Sequence, residues 1–223
     1  MSGAPRLPLR PRQVAALVRA VKDAQDAPPR AGRLPAIPER VLVALVAELR
    51  AEREDADPAR PKDARKRARR LAAVTGLAGL PGRVSGEALA VIEEARAAVT
   101  LAAELGTPRT DAELAADLLV VWGLVEELDE AEAITAGTGT RSLLDLEASR
   151  AAGAVTDLVP DEWTPWSTLR FLWRVRKVRD LVPESLQPGV RAIPLVGAVP
   201  AALGASREMK AFQKRFRTHL AAR

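Results

Sequence analysis

Apolar residues recur along this chain at intervals of three and four, and no stretch alternates convincingly at the interval of two that a half-buried strand needs. Val14, Leu17, Val18 and Val21 predict a short first helix over Gln13 to Gln25. Pro28, Pro29, Pro35 and Pro38 then mark a loop, and Pro38 suits the opening turn of a second helix, where its missing N–H costs nothing. Val41, Leu42, Leu45, Val46 and Leu49 form the apolar stripe of that helix, which fades into Glu52 to Asp57 and is closed by Pro58 and Pro61. The apolar stretch Leu71 to Leu80, rich in alanine and glycine, ends at a Pro81-Gly82 turn.

Ser85 caps a helix running through Glu104, with Leu89, Ile92, Ala95 and Val99 inward and Gly106 as its stop. Thr110-Asp-Ala-Glu113 is a capping box and opens a helix through about Ile134. Leu114, Asp117, Leu118, Val121, Trp122 and Val125 lie along one of its stripes. Ala136 to Thr140 is a break and Ser142 to Ala152 a short helix. Thr164-Pro165 starts a helix over Trp166 to Val182, and Ser206 caps a last one carrying Met209, Phe212, Phe216 and Leu220. The expected fold is all-α, a single irregular bundle of about seven or eight helices. It divides into an N-terminal arm with two helices (1–61) and a helical domain (62–223), and no internal repeat of solenoid period is present.

Composition narrows the chemistry. The 223 residues include no cysteine, so disulfides, thiol nucleophiles and thiolate metal sites are excluded. A single histidine, His219, excludes multi-histidine metal centres; it sits on a helix end expected to fray, a poor place for catalysis. The Gly137-Thr-Gly139 turn lacks the Gly-Lys-Ser/Thr ending of a phosphate loop, and no Gly-x-Ser-x-Gly elbow occurs. Glu126, Glu127, Asp129, Glu130 and Glu132 cluster, and Glu126 with Glu130 would share a helix face, but no second ligating helix matches them. Asp117, on an otherwise apolar stripe, asks for an arginine inside the bundle. No catalytic residue, metal site or cofactor is expected.

Charge is segregated. Residues 1–70 hold 17 Lys and Arg against 9 Asp and Glu, residues 71–162 hold 5 against 17, and residues 163–223 hold 12 against 3. Either the basic ends fold back on the acidic middle, or one of them faces an anionic partner. Six of the seven aromatics also fall in the last segment: Trp163, Trp166, Phe171, Trp173, Phe212 and Phe216. Within it, Phe171, Val175, Val178 and Val182 take one helical face while Arg170, Arg174 and Lys177 take another. That is the composition of a basic amphipathic helix at a lipid headgroup layer. The uncharged Ala192 to Ser206 is too short and proline-broken to span a bilayer, and reads as a buried helix–turn–helix or as a hairpin dipping into one leaflet. The membrane-contact set is therefore Trp163, Trp166, Arg170, Phe171, Trp173, Arg174, Lys177, Ile193, Leu195 and Val196.

The opening arm lacks the long apolar stretch of a secretory signal, so the expected location is cytoplasmic, peripheral on the inner membrane face. The function expected is non-enzymatic, an accessory or scaffold on an anionic membrane surface, with a transporter or another protein as further partner. The rival is nucleic-acid binding through the basic run Lys62 to Arg70, which supplies clustered charge but no recognised motif.

The order Ile193-Pro-Leu-Val-Gly-Ala198, a small-residue turn and then a basic helix with spaced Met and Phe resembles the end of the EcsC protein family. Val74-Thr-Gly-Leu-Ala-Gly-Leu-Pro-Gly82 and the helix ending Ala102-Ala-Glu-Leu-Gly106 are similar to its middle, so the likeness runs loosely from Lys62 to Leu220. It implies a mostly helical fold and, since the founding member is encoded beside an ABC transporter linked to secretion, a setting near membrane machinery. It implies no catalytic residues.

Overall fold

The computed structural model describes residues 9–28, 34–55, 86–150, 158–181 and 201–223, without the side chains of 179–181 and 201–206. These residues form eight α-helices and no strand. They are α1 (Pro11–Gln25), α2 (Ile37–Glu54), α3 (Gly86–Glu104), α4 (Asp111–Val121), α5 (Leu128–Thr135), α6 (Leu143–Arg150), α7 (Pro165–Leu181) and α8 (Ala201–Ala221). The all-α expectation holds. The 61/62 boundary, the basic run Lys62 to Arg70 and the stretch to Ser85 lie outside the described residues, as do Ile193, Leu195 and Val196.

Helix α2 is the hub, packed against α1, α3, α4, α5, α6 and α7. Its expected stripe of Val41, Leu42, Leu45, Val46 and Leu49 is fully buried, each side chain contributing about 1.5–3 kcal/mol. Helix α3 is buried nearly all round: Ala88, Val91, Ala97, Ala98 and Leu101 are inside in addition to the stripe read from its spacing. Both α7 and α8 pack against it.

Start signals act as their chemistry requires. Thr110 Oγ1 accepts from the Glu113 N–H at 3.2 Å while the Thr110 N–H donates to the Glu113 carboxylate at 2.7 Å. Thr164 and Ser167 repeat that exchange at the head of α7, at 3.1 and 2.8 Å. The last helix begins at Ala201 rather than at Ser206, because Ala201, Ala202 and Leu203 are strong helix formers that carry it backward.

One expected helix is two. Asp111–Val121 ends at Trp122, and Gly123 takes φ +70°, the left-handed conformation that only glycine adopts freely. The Leu124 N–H donates to the Leu119 carbonyl at 2.9 Å and the Gly123 N–H to that of Val120 at 2.8 Å, closing the helix end. The chain restarts as α5 at Leu128, so Glu126 precedes that helix and does not share a face with Glu130.

Candidate functional site

The segment from Trp163 onward, where rings and positive charge coincide, divides into a face turned inward on α7 and a face turned outward on α8. On α7 the apolar side is core. Phe171 is 1 % exposed, Leu169, Leu172 and Val175 are equally buried, and Trp163 meets the Phe171 ring edge-on at 5.6 Å. Phe171 is therefore withdrawn from the membrane-contact set: α2 and α3 supply the apolar surface it needs. Trp163, Trp166 and Trp173 are half-buried and packed against the same core.

Four cations of α7 are answered from within the bundle. Arg170 and Arg174 bracket the Glu87 carboxylate of α3, their Nε atoms 3.5 and 3.6 Å from its two oxygens. Lys177 donates to Glu208 of α8 at 3.0 Å and lies over the Trp173 ring. Arg176, on the buried side, forms an ion pair with Glu94 of α3, whose carboxylate also accepts from the Trp122 indole N–H at 2.7 Å. Burial pushes the Glu94 carboxyl above the ordinary carboxylate range, against the opposing pull of Arg176 and Trp122. An open groove of about 630 Å³ runs between residues 158–162 and α7. Its walls carry Asp161 and Glu162 as well as Arg170 and Arg174, so it has no single sign of charge.

The inward side of α8 is built by Met209, Phe212, Phe216 and Leu220, all buried on α3 and α4, with Phe212 and Phe216 stacked at 5.6 Å. That register turns Arg207, Lys210, Lys214, Arg215 and Arg217 to solvent. Four of them, Arg207, Lys210, Lys214 and Arg217, step by three and four along one stripe, about 15 Å of helix. None of the five takes part in an ion pair among the described residues. The signal for this stripe lies in the sequence: once Met209, Phe212, Phe216 and Leu220 are taken as the inward face, the five cations fall outside it.

Asp117 of α4 is wholly buried and receives its arginine. Arg223 donates to Oδ1 at 2.8 Å, His219 Nε2 lies 2.8 Å from the same oxygen, and Arg109 Nε stands 3.6 Å from Oδ2. His219 is thus packed on α4 rather than at a loose end. Arg223 also reaches Glu132 of α5. Of the acidic cluster, Glu126 pairs with Arg150 at 3.5 Å. No group of three or more His, Asp or Glu among the described residues is arranged to hold a metal ion. The Gly137–Gly139 turn is the end of α5, its two glycine amides donating to the Ile134 and Ala133 carbonyls at 3.1 and 2.8 Å. Among the described residues no helix is long and apolar enough to cross a membrane.

No family model, no curated protein and no solved structure matches this chain.

Proposed function

We propose that this chain is a non-enzymatic helical module that docks on an anionic membrane face, as an accessory or scaffold for membrane machinery, through the outer face of α8. The observation that carries the reading is the stripe Arg207, Lys210, Lys214 and Arg217, with Arg215 beside it, exposed and free of ion pairs among the described residues. A lysine or arginine beside an anionic leaflet contributes about 1 kcal/mol, so the stripe supplies about 4 kcal/mol of reversible attachment at low salt. Burial of Phe212 and Phe216 holds the helix to the bundle, which keeps the four charges in register with one another. The resemblance to the EcsC protein family, proposed on the same terms, agrees with a setting at a membrane.

Because Phe171, Phe212 and Phe216 are core residues, the docked state is electrostatic and weakens steeply with salt. The test is co-sedimentation with vesicles of phosphatidylcholine alone and of phosphatidylcholine with phosphatidylglycerol. Binding is expected only to the anionic vesicles, with release by salt. Charge reversal of the stripe (R207E, K210E, K214E and R217E together) should abolish it, whereas R170E with R174E should weaken it little, since Glu87 already answers those two. Retention of the reversed variant on anionic vesicles would refute the proposal. A gel shift with duplex DNA at the same salt gives the competing outcome, and tighter binding there than to vesicles would move the function to nucleic acid.

A further inference from the structure

The helix that carries the cationic stripe is the last of the eight described and stands apart from the helices grouped around the hub α2. It packs on α3 and α4, while the hub α2 makes its contacts with α1 and α3 through α7. Its inward face holds two phenylalanines, a methionine and a leucine, and its outward face five cations. Apart from the bundle, that arrangement is a basic amphipathic helix of the kind that lies in a headgroup layer with its apolar side down.

One buried carboxylate pins its far end. Asp117 lies inside α4 with no exposed surface, and its two closest hydrogen-bond partners, His219 and Arg223, both come from the last turn of α8 and beyond. Its Oδ2 has no hydrogen bond, Arg109 standing at 3.6 Å. The charged and titratable groups around it are Arg109 from the loop before α4, His219 of α8, Arg223 just beyond that helix, and Glu132 of α5 on the other side of Arg223. A carboxylate buried in such a place is stable only while those donors stay, so the closed position of α8 and the burial of Asp117 support each other.

We infer that Asp117 is a latch: with His219 and Arg223 engaged, α8 is held closed, and their release lets the helix swing out and lay Met209, Phe212, Phe216 and Leu220 into an anionic bilayer. This rests on the docking reading for its ligand and adds a second, deeper mode to it. Closed, the protein is attached by charge; open, by charge and apolar burial together.

The chain has no cysteine, so a single introduced thiol reports its own exposure. L220C places one beside the latch and L45C places one in the hub, where the side chain is fully buried. In each background the rate of thiol modification is measured for the parent latch, for D117N and for R223Q, the last sparing the α4 side should D117N fold poorly. The latch predicts that D117N or R223Q speeds modification of the L220C thiol about tenfold or more and leaves the L45C thiol protected. Equal acceleration at both positions is global destabilisation and overturns the latch, as does no acceleration at either. The same variants are then taken to phosphatidylcholine–phosphatidylglycerol vesicles. Tighter retention than the parent at high salt, where charge is screened, supports apolar insertion, and unchanged retention refutes it. If the reversed stripe binds vesicles as well as the parent, the docking reading falls, while the thiol rates still decide the latch on their own.

Discussion

Replacing Arg176 with methionine, similar in length and uncharged, would leave the Glu94 carboxylate between α3 and α7 with the indole N–H of Trp122 as its remaining donor. Both side chains of the pair are 5 % exposed, so water does not readily take the place of the guanidinium. Removing one partner of such a pair costs about 3–5 kcal/mol, a large part of the roughly 5–15 kcal/mol that holds a domain together. For a chain of this size each kcal/mol moves the midpoint about 2–4 °C, so the variant should melt about 6–20 °C lower. The loss should depend on pH. The folded-state value of Glu94 is raised by burial, so the fold favours its protonated form. The group's contribution is therefore fully present below the ordinary glutamate value and is lost as pH rises through the folded one. Without Arg176 that value rises further, and the gap between variant and parent should widen from acid towards neutral pH. Adding E94Q to the variant keeps an acceptor for Trp122, removes the charge, and should return much of the stability while flattening the profile. Thermal unfolding followed by circular dichroism from about pH 5 to about pH 8 reads all three proteins. A loss below about 1 kcal/mol that stays constant with pH would show that Glu94 is not held dry, and the account of this ion pair would be wrong.

Gly123→Ala meets no atom within 4 Å, so its cost is conformational alone, about 1–2 kcal/mol for an L-residue at φ +70°; urea unfolding measures it, and a neutral result would mean the turn has relaxed. Thr110→Ala removes the oxygen that accepts the Glu113 N–H and should cost about 0.5–2 kcal/mol. Hydrogen bonds from the Thr110 backbone and hydroxyl hold Glu113 below its ordinary range, so its share of stability is present above the ordinary glutamate value and is lost as pH falls through the folded one. E113Q should accordingly flatten the acid limb of the stability profile, and an unchanged limb would assign that limb to other carboxylates.

How much of this was legible beforehand depended on whether a residue's neighbour was close in sequence. The Thr110 box, the Thr164-Pro165 start and the α2 stripe are local, and each stands where spacing put it. The break at Gly123 was hidden because Leu118, Val121, Trp122 and Val125 continue the apolar pattern across it, and the turn then uses Trp122 to reach Glu94 rather than to extend a stripe. Phe171 was misplaced for a different reason. Phenylalanine and tryptophan beside arginine are the same pattern at a lipid surface and at a packed helix interface, and only the packing of α7 on α3, some 80 residues earlier, decides between them. Glu94 gave no warning of its burial, since the cation that makes it tolerable, Arg176, lies 82 residues away and is recognised as its partner only in three dimensions.

The segregated charge then has two physical meanings. Five of the twelve cations in 163–223 serve folding: Arg170 and Arg174 go to Glu87, Arg176 to Glu94, Lys177 to Glu208, and Arg223 to Asp117 and Glu132. Every one of these cations reaches a carboxylate on another helix, which is how an acidic middle and a basic end become one bundle. If all of the positive charge were used in this way, the uneven distribution would need no outside partner. The five cations on the outer face of α8 are different, because the helix that bears them is already held by Phe212, Phe216 and the Asp117 cluster and gains nothing in packing from them. Repulsion between neighbours three and four residues apart costs a few tenths of a kcal/mol for each pair, so the stripe works slightly against the helix it sits on. A cost carried without a folding return is what an electrostatic docking face requires, and neutralising single members (K210Q or K214Q) should leave stability the same or slightly higher while lowering retention on anionic vesicles step by step.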